Sequence, residues 1–225
     1  MSSIYQKVLG SDFKKLHPMI QRRFGFSSSD GIASIGKGTM HKVWHGRAYT
    51  LPFLYVGTWR RIMFPESASN VDFSIENYAY LDKFGRETVT WIRTFNTRKR
   101  RRFDAYMIHS ETRCRIVDYL GTHQHLAVDL DIWANESGGL CLRSGEQRFY
   151  EGPIAFKFPL LLSGVAEVCE SYDESSQRFQ INVNVRNRWW GPLFGYHGTF
   201  QVDWLPMSPD KIPQGIKPRR EEWRE

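Results

Sequence analysis

From residue 71 onward, apolar and polar side chains alternate with a period of two almost everywhere. Val71, Phe73 and Ile75 interleave with Asp72, Ser74 and Glu76, and Phe179, Ile181, Val183 and Val185 interleave with Gln180, Asn182 and Asn184. Successive side chains of a strand point to opposite faces, so each such segment has one face to bury and one that tolerates water. Asp82, Lys83, Phe84 and Gly85 form a turn into a partner strand at 87–95, and further strands read at 103–110, 113–120, 122–134, 140–143 (continuing at 147–150), 165–172, 179–185 and 194–204. Connections this short favour antiparallel neighbours. A long meander must hide its edges and its apolar face, and curling does both.

The first 25 residues have a different period. Ile4, Tyr5, Val8 and Leu9 follow serine caps at helical spacing, Phe13 and Leu16 share a face, and Pro18 opens a short helix carrying Met19, Ile20 and Phe24 before Gly25. Residues 35–45 read as extended. Leu51, Leu54, Tyr55, Trp59, Ile62 and Met63 fall on one helical face, with Arg60 and Arg61 pointing away and Pro65 ending the helix. The expected fold is therefore α+β: N-terminal helices plus a long antiparallel β meander forming a strongly curved sheet or half-open barrel. Residues 1–205 make one domain. Residues 206–225, with Pro206, Pro209, Pro213 and Pro218, form an extended tail pinned by Leu205 or Trp223.

Nothing approaches the ~18 apolar residues of a membrane helix; the best candidate, 154–169, is broken by Lys157, Pro159 and Glu167. The N-terminus lacks a basic-then-apolar export pattern. Three cysteines, Cys114, Cys141 and Cys169, stand far apart without CxxC spacing, so reduced thiols and a cytoplasmic location are expected. A net charge of +7 favours partners that carry phosphate.

Chemistry-bearing patterns are sparse. There is no GxSxG, P-loop, GxGxxG or HExxH, which leans against an enzyme, and no cofactor is indicated. His123, His125, Asp129 and Asp131 share one parity, but over ~25 Å of strand they cannot all reach one ion, and they read as a wet strand face. Arg98, Lys99, Arg100, Arg101 and Arg102 lie between two strands, flanked by Phe95 and Phe103. Such a run forms a solvated hairpin tip, or else grips nucleic acid or an anionic membrane. Trp91, Phe179, Tyr196 and Phe200 can line the concave side of a bent sheet, with Arg93 as a fixed charge among them. A lipid-like or other apolar small molecule is the partner such a cavity would suit.

Three segments carry a family resemblance: Tyr5 to Leu16; Gly85, Arg86 and Glu87 through Trp91, Arg93 and Phe95 to Phe103; and Gly191, Pro192, Leu193, Phe194, Gly195, Tyr196, His197, Gly198, Thr199 and Phe200. In order and spacing they resemble the bacterial family named domain of unknown function 4166. The resemblance runs from about Ile4 to Leu205 and implies an accessory or binding role. It supplies no catalytic residue. The arginine run and the proline-rich tail lie outside the shared motifs.

Overall fold

The computed structural model describes residues 1–159 and 163–225. Three helices and eleven strands follow in chain order: α1 (Ile4–Leu9), α2 (Pro18–Phe24), β1 (Ile32–His45), α3 (Leu51–Arg60), β2 (Ala68–Leu81), β3 (Glu87–Asn96), β4 (Arg100–Ser110), β5 (Arg115–Leu120), β6 (Leu126–Ala134), β7 (Leu140–Glu151), β8 (Ile154–Lys157), β9 (Val165–Asp173), β10 (Arg178–Asn187) and β11 (Gly191–Pro206). All strand pairings are antiparallel, in the order β6-β5-β4-β3-β2-β1-β11-β10-β9-β7-β8. A further pairing, β6 with β7, joins the two ends, so ten strands close a barrel and β8 extends β7 outside the ring. The curved sheet read from the sequence is thus a closed barrel. The two segments at 140–143 and 147–150 are one strand, whose first half pairs with β9 and whose second half pairs with β8.

Glycine lets the first strand pass close to bulky neighbours. A Cβ on Gly36 would lie 2.6 Å from Ile75 Cγ2 and 2.7 Å from Phe200 Cδ2. Strand β1, poor in side chains here, makes room for the rings of β2 and β11.

Antiparallel order sorts the connections to two ends. One end receives the N-terminal helices. Ser3 caps α1 in a capping box with Gln6, and Ile4 and Tyr5 are fully buried. The Tyr5 hydroxyl accepts a 2.9 Å bond from Trp91 Nε1 on β3 and approaches Met107 Sδ on β4. Pro18 stands in the first turn of α2, and His17 N donates to the Gly138 carbonyl in the β6–β7 turn. The opposite end gathers α3, the β3–β4 tip, the β5–β6 turn and the β10–β11 turn.

The tail crosses the outer wall. Its anchor is Ile216, buried among Tyr78, Tyr106, Tyr119 and Tyr150, while Leu205 and Trp223 are 45% and 66% exposed. Arg86 donates to the Glu222 and Trp223 carbonyls, and Arg219 N to the Thr122 carbonyl. Glu222 is buried between Arg220 and Arg224, whose hydrogen bonds hold its carboxyl down at about 2 despite burial.

Two sequence expectations need correction. Cys141 and Cys169 are directly opposite on β7 and β9 and form a disulfide, leaving Cys114 as the free, exposed thiol. Register across strands, invisible in linear spacing, brings the pair together. A link closing 28 residues contributes ~3.6 kcal/mol by the chain-entropy argument. The second concerns α3. Leu54 points into the core, but Tyr55 and Trp59 are 62% and 77% exposed, so they do not share its buried face. Among the described residues no helix is long and apolar enough to cross a membrane; residues 160–162 of the 154–169 segment lie outside them.

A candidate anion site at one end of the barrel

The sequence reading set a candidate cavity on the concave side of the sheet. Trp91, Arg93, Phe179, Tyr196 and Phe200 all lie on the inner wall, none more than 4% exposed. Phe179 and Phe200 stack at 5.5 Å, Phe95 meets Tyr196 edge-on at 4.9 Å, and Phe73 touches both Phe95 and Phe200. Arg93 lies over the Phe103 ring at 3.7 Å and donates to the Tyr196 hydroxyl. On the concave face these rings pack against one another.

Charged groups are embedded in that filling. Arg23 of α2, wholly buried, pairs through Nε with Glu170 on β9 and donates from Nη1 to Ser34 on β1 at 2.7 Å. Asp118 on β5 is also inside. Burial pushes its carboxyl up to about 7, opposed by the nearby Arg93 charge and a backbone hydrogen bond from Tyr106.

The histidine and aspartate set is dispersed. His123 and His125 stack at 5.5 Å in the turn before β6, with His125 Nδ1 2.7 Å from Glu151. Asp129 is buried and tied to Arg113 and Arg148, whereas Asp131 pairs with Arg115. The expected wet face is therefore an ion-pair network at Asp129. Among the described residues no three histidine, cysteine or acidic side chains converge as metal ligands. On the outer wall, His41 and His197 meet at 6.1 Å beside a shallow recess of about 420 Å³ that Cys169 also borders.

The basic run is drawn together. Arg100, Arg101 and Arg102, at the start of β4, line an open pocket of about 370 Å³ with Thr58 and Arg61 from the end of α3. Two connections bring α3 there. Arg61 closes the helix in a left-handed conformation (φ 59°) and its carbonyl accepts the Asp104 amide of β4; the Arg60 carbonyl accepts the Thr122 amide of the β5–β6 turn. Arg98 and Lys99 stay outside this wall, exposed at the hairpin tip.

Three of the four arginines here share two carboxylates. Arg101 pairs with Glu66; Arg102 and Arg61 reach the buried Asp104 at 2.6 and 3.4 Å; Arg100 has no ion-pair partner among the described residues. Arg102 also donates to the Gly215 carbonyl of the tail. Burial raises the Asp104 carboxyl even against both arginines, so its hold on them is not that of a fully exposed carboxylate. The pocket keeps a positive excess, and planar guanidinium forks match phosphate oxygens.

Sequence reading found Arg100, Arg101 and Arg102 but missed Arg61 and Thr58. The sequence reading carried the helix through Met63 and turned Arg61 away from its apolar face, whereas the helix ends at Arg60. Nothing in linear order tied residue 61 to residue 102.

A family model described as "domain of unknown function (DUF4166)" matches residues 16–200. The chain belongs to this family. One relative, "uncharacterized protein YndH" of Bacillus subtilis (strain 168), is 36% identical over 204 residues, covering 90% of this chain and 98% of its own. No solved structure matches the chain. The match includes Arg61, Arg100, Arg101 and Arg102, all between residues 16 and 200, and leaves out the strap-like tail that Arg102 holds.

Proposed function

We propose that this DUF4166 protein is a non-enzymatic binding barrel that takes a phosphate-bearing partner at the Thr58, Arg61, Arg100, Arg101 and Arg102 pocket. The observation that carries the reading is that Arg61, Arg100, Arg101 and Arg102 line one open recess while only two carboxylates, Glu66 and Asp104, pair with them. An apolar guest among Trp91, Arg93, Phe179, Tyr196 and Phe200 is the competing reading, and the closed barrel is compatible with it. That guest must first displace rings already in contact, whereas the arginine pocket is open as it stands.

Inorganic tripolyphosphate is a suitable probe, followed by calorimetry. Binding is expected to weaken with salt, because each phosphate contact releases condensed or paired ions. The Arg61→Ala, Arg100→Ala double variant is expected to bind at least tenfold more weakly, since charge-assisted hydrogen bonds contribute ~1.5–3 kcal/mol each. Equal affinity of variant and wild type would reject the pocket.

A further inference from the structure

The same end of the barrel carries an apolar surface that the fold does not use. Helix α3 packs Leu54 into the core and turns Pro52, Tyr55, Val56 and Trp59 outward, at i, i+3, i+4 and i+7. That is the spacing of a buried stripe, yet Tyr55, Val56 and Trp59 are 62%, 69% and 77% exposed. The stripe continues beyond the helix. Tyr49, in the turn leading into α3, packs its ring 5.7 Å from Trp190 and donates its hydroxyl to the Trp190 carbonyl. Trp189 and Trp190, in the β10–β11 turn, are 57% and 51% exposed.

Cations frame these rings. Arg60 lies 4.2 Å from the Trp59 ring and Arg188 lies 5.2 Å from the Trp189 ring. The segments 46–67, 97–104 and 186–191, all at this end, hold ten Lys and Arg against two acids, Glu66 and Asp104. Exposed tryptophan and tyrosine among arginines suit the headgroup layer of a bilayer, where a ring has one apolar and one polar neighbourhood. A twofold contact between two copies would set these like charges face to face, so a second copy is a poor occupant. Thr58 stands on the flank of the same helix, ~60° from Tyr55 by helical geometry, and Arg61 follows directly on its last turn. Hence the arginine pocket opens beside the apolar stripe.

We infer that this end of the barrel docks on an anionic lipid surface, with Tyr55, Val56, Trp59 and Trp190 entering the headgroup layer and the arginine pocket receiving a lipid phosphate. The inference rests on the phosphate-binding reading for the pocket. The stripe is an independent observation.

The test is co-sedimentation of the full chain with vesicles of phosphatidylcholine alone or mixed with phosphatidylglycerol, with tryptophan emission recorded in parallel. Binding to the anionic vesicles only, with a blue shift, is expected. Val56→Ser, Trp59→Ser is expected to reduce vesicle partition about tenfold while tripolyphosphate affinity stays unchanged, which also reports that the variant is folded. Arg61→Ala, Arg100→Ala is expected to lower both; a neutralised surface charge lowers partition about fivefold. Absence of binding to anionic vesicles overturns the inference and leaves the tripolyphosphate result to judge the pocket. So does vesicle binding indifferent to the apolar pair, or tight binding of single-stranded RNA without vesicle binding. If vesicles bind through the stripe but tripolyphosphate does not bind, the docking surface stands and the pocket reading falls.

Discussion

Replacing Arg23 with methionine is expected to cost the fold on the order of 3–5 kcal/mol. Arg23 enters the barrel from α2, is 1% exposed, and meets Glu170 on β9 and Ser34 on β1. It also lies 5.0 Å from the Phe200 ring and 5.6 Å from the Phe179 ring. Methionine fills similar space but leaves the Glu170 carboxylate in the core without a counter-charge. The penalty comes mainly from that stranded charge, because a buried ion pair itself gains little over an apolar pair of the same shape. Two consequences separate this from lost packing. The Arg23→Met, Glu170→Leu double variant is expected to recover most of the loss. Acidification is expected to narrow the single variant's deficit, since an unpaired buried carboxyl takes up a proton more readily than it does in the unfolded chain. Urea unfolding at pH 5 and pH 8 measures both. A single variant within about 1 kcal/mol of wild type at pH 8 would contradict the assignment.

Asp118→Asn is expected to act in the opposite direction. The Asp118 carboxyl, ordinarily near 3.8, is pushed up to about 7 by burial, with Arg93 opposing. Between about pH 4 and 7 the folded protein therefore holds a proton that the unfolded chain has released. Stability from this group is present at low pH, falls as pH rises through that window, and levels off above about 7. Asparagine keeps the shape and cannot ionise. The variant is expected to match wild type near pH 4 and to exceed it at pH 8 by on the order of 4 kcal/mol, since each unit of pKa is ~1.4 kcal/mol. A variant less stable than wild type at pH 8 would mean that ionised Asp118 supports the fold through Arg93.

The fold was largely legible because its strands follow one simple rule. Period-two alternation marked nearly every strand, and in β10 Phe179, Ile181, Val183 and Val185 all turned inward as read. Closure was not legible: it depends on Leu126 to Ala134 finding β7 as well as β5, a register choice made in three dimensions. Strand β8 was missed because its four residues, all exposed, carry no alternation of burial. The disulfide was hidden for the same reason as closure. Helix α3 misled because it is apolar on both sides. Periodicity grouped Leu54 with Tyr55 and Trp59, and only packing shows which of them the core accepts. Of the candidate sites, the arginine run could be seen as a run, but its partners Thr58 and Arg61 come from a helix some forty residues earlier.

The central claim is that binding takes place outside the barrel, at the end where α3 meets the arginine run, while the interior stays packed. Hydrogen exchange of the full chain, with and without vesicles containing phosphatidylglycerol, tests it most directly. Added protection is predicted in 49–61, 97–102 and 188–190, with exchange in 89–95 and 179–185 unchanged. Protection that appears instead along β3, β10 and β11, with none at α3, would contradict the account and return the site to the interior.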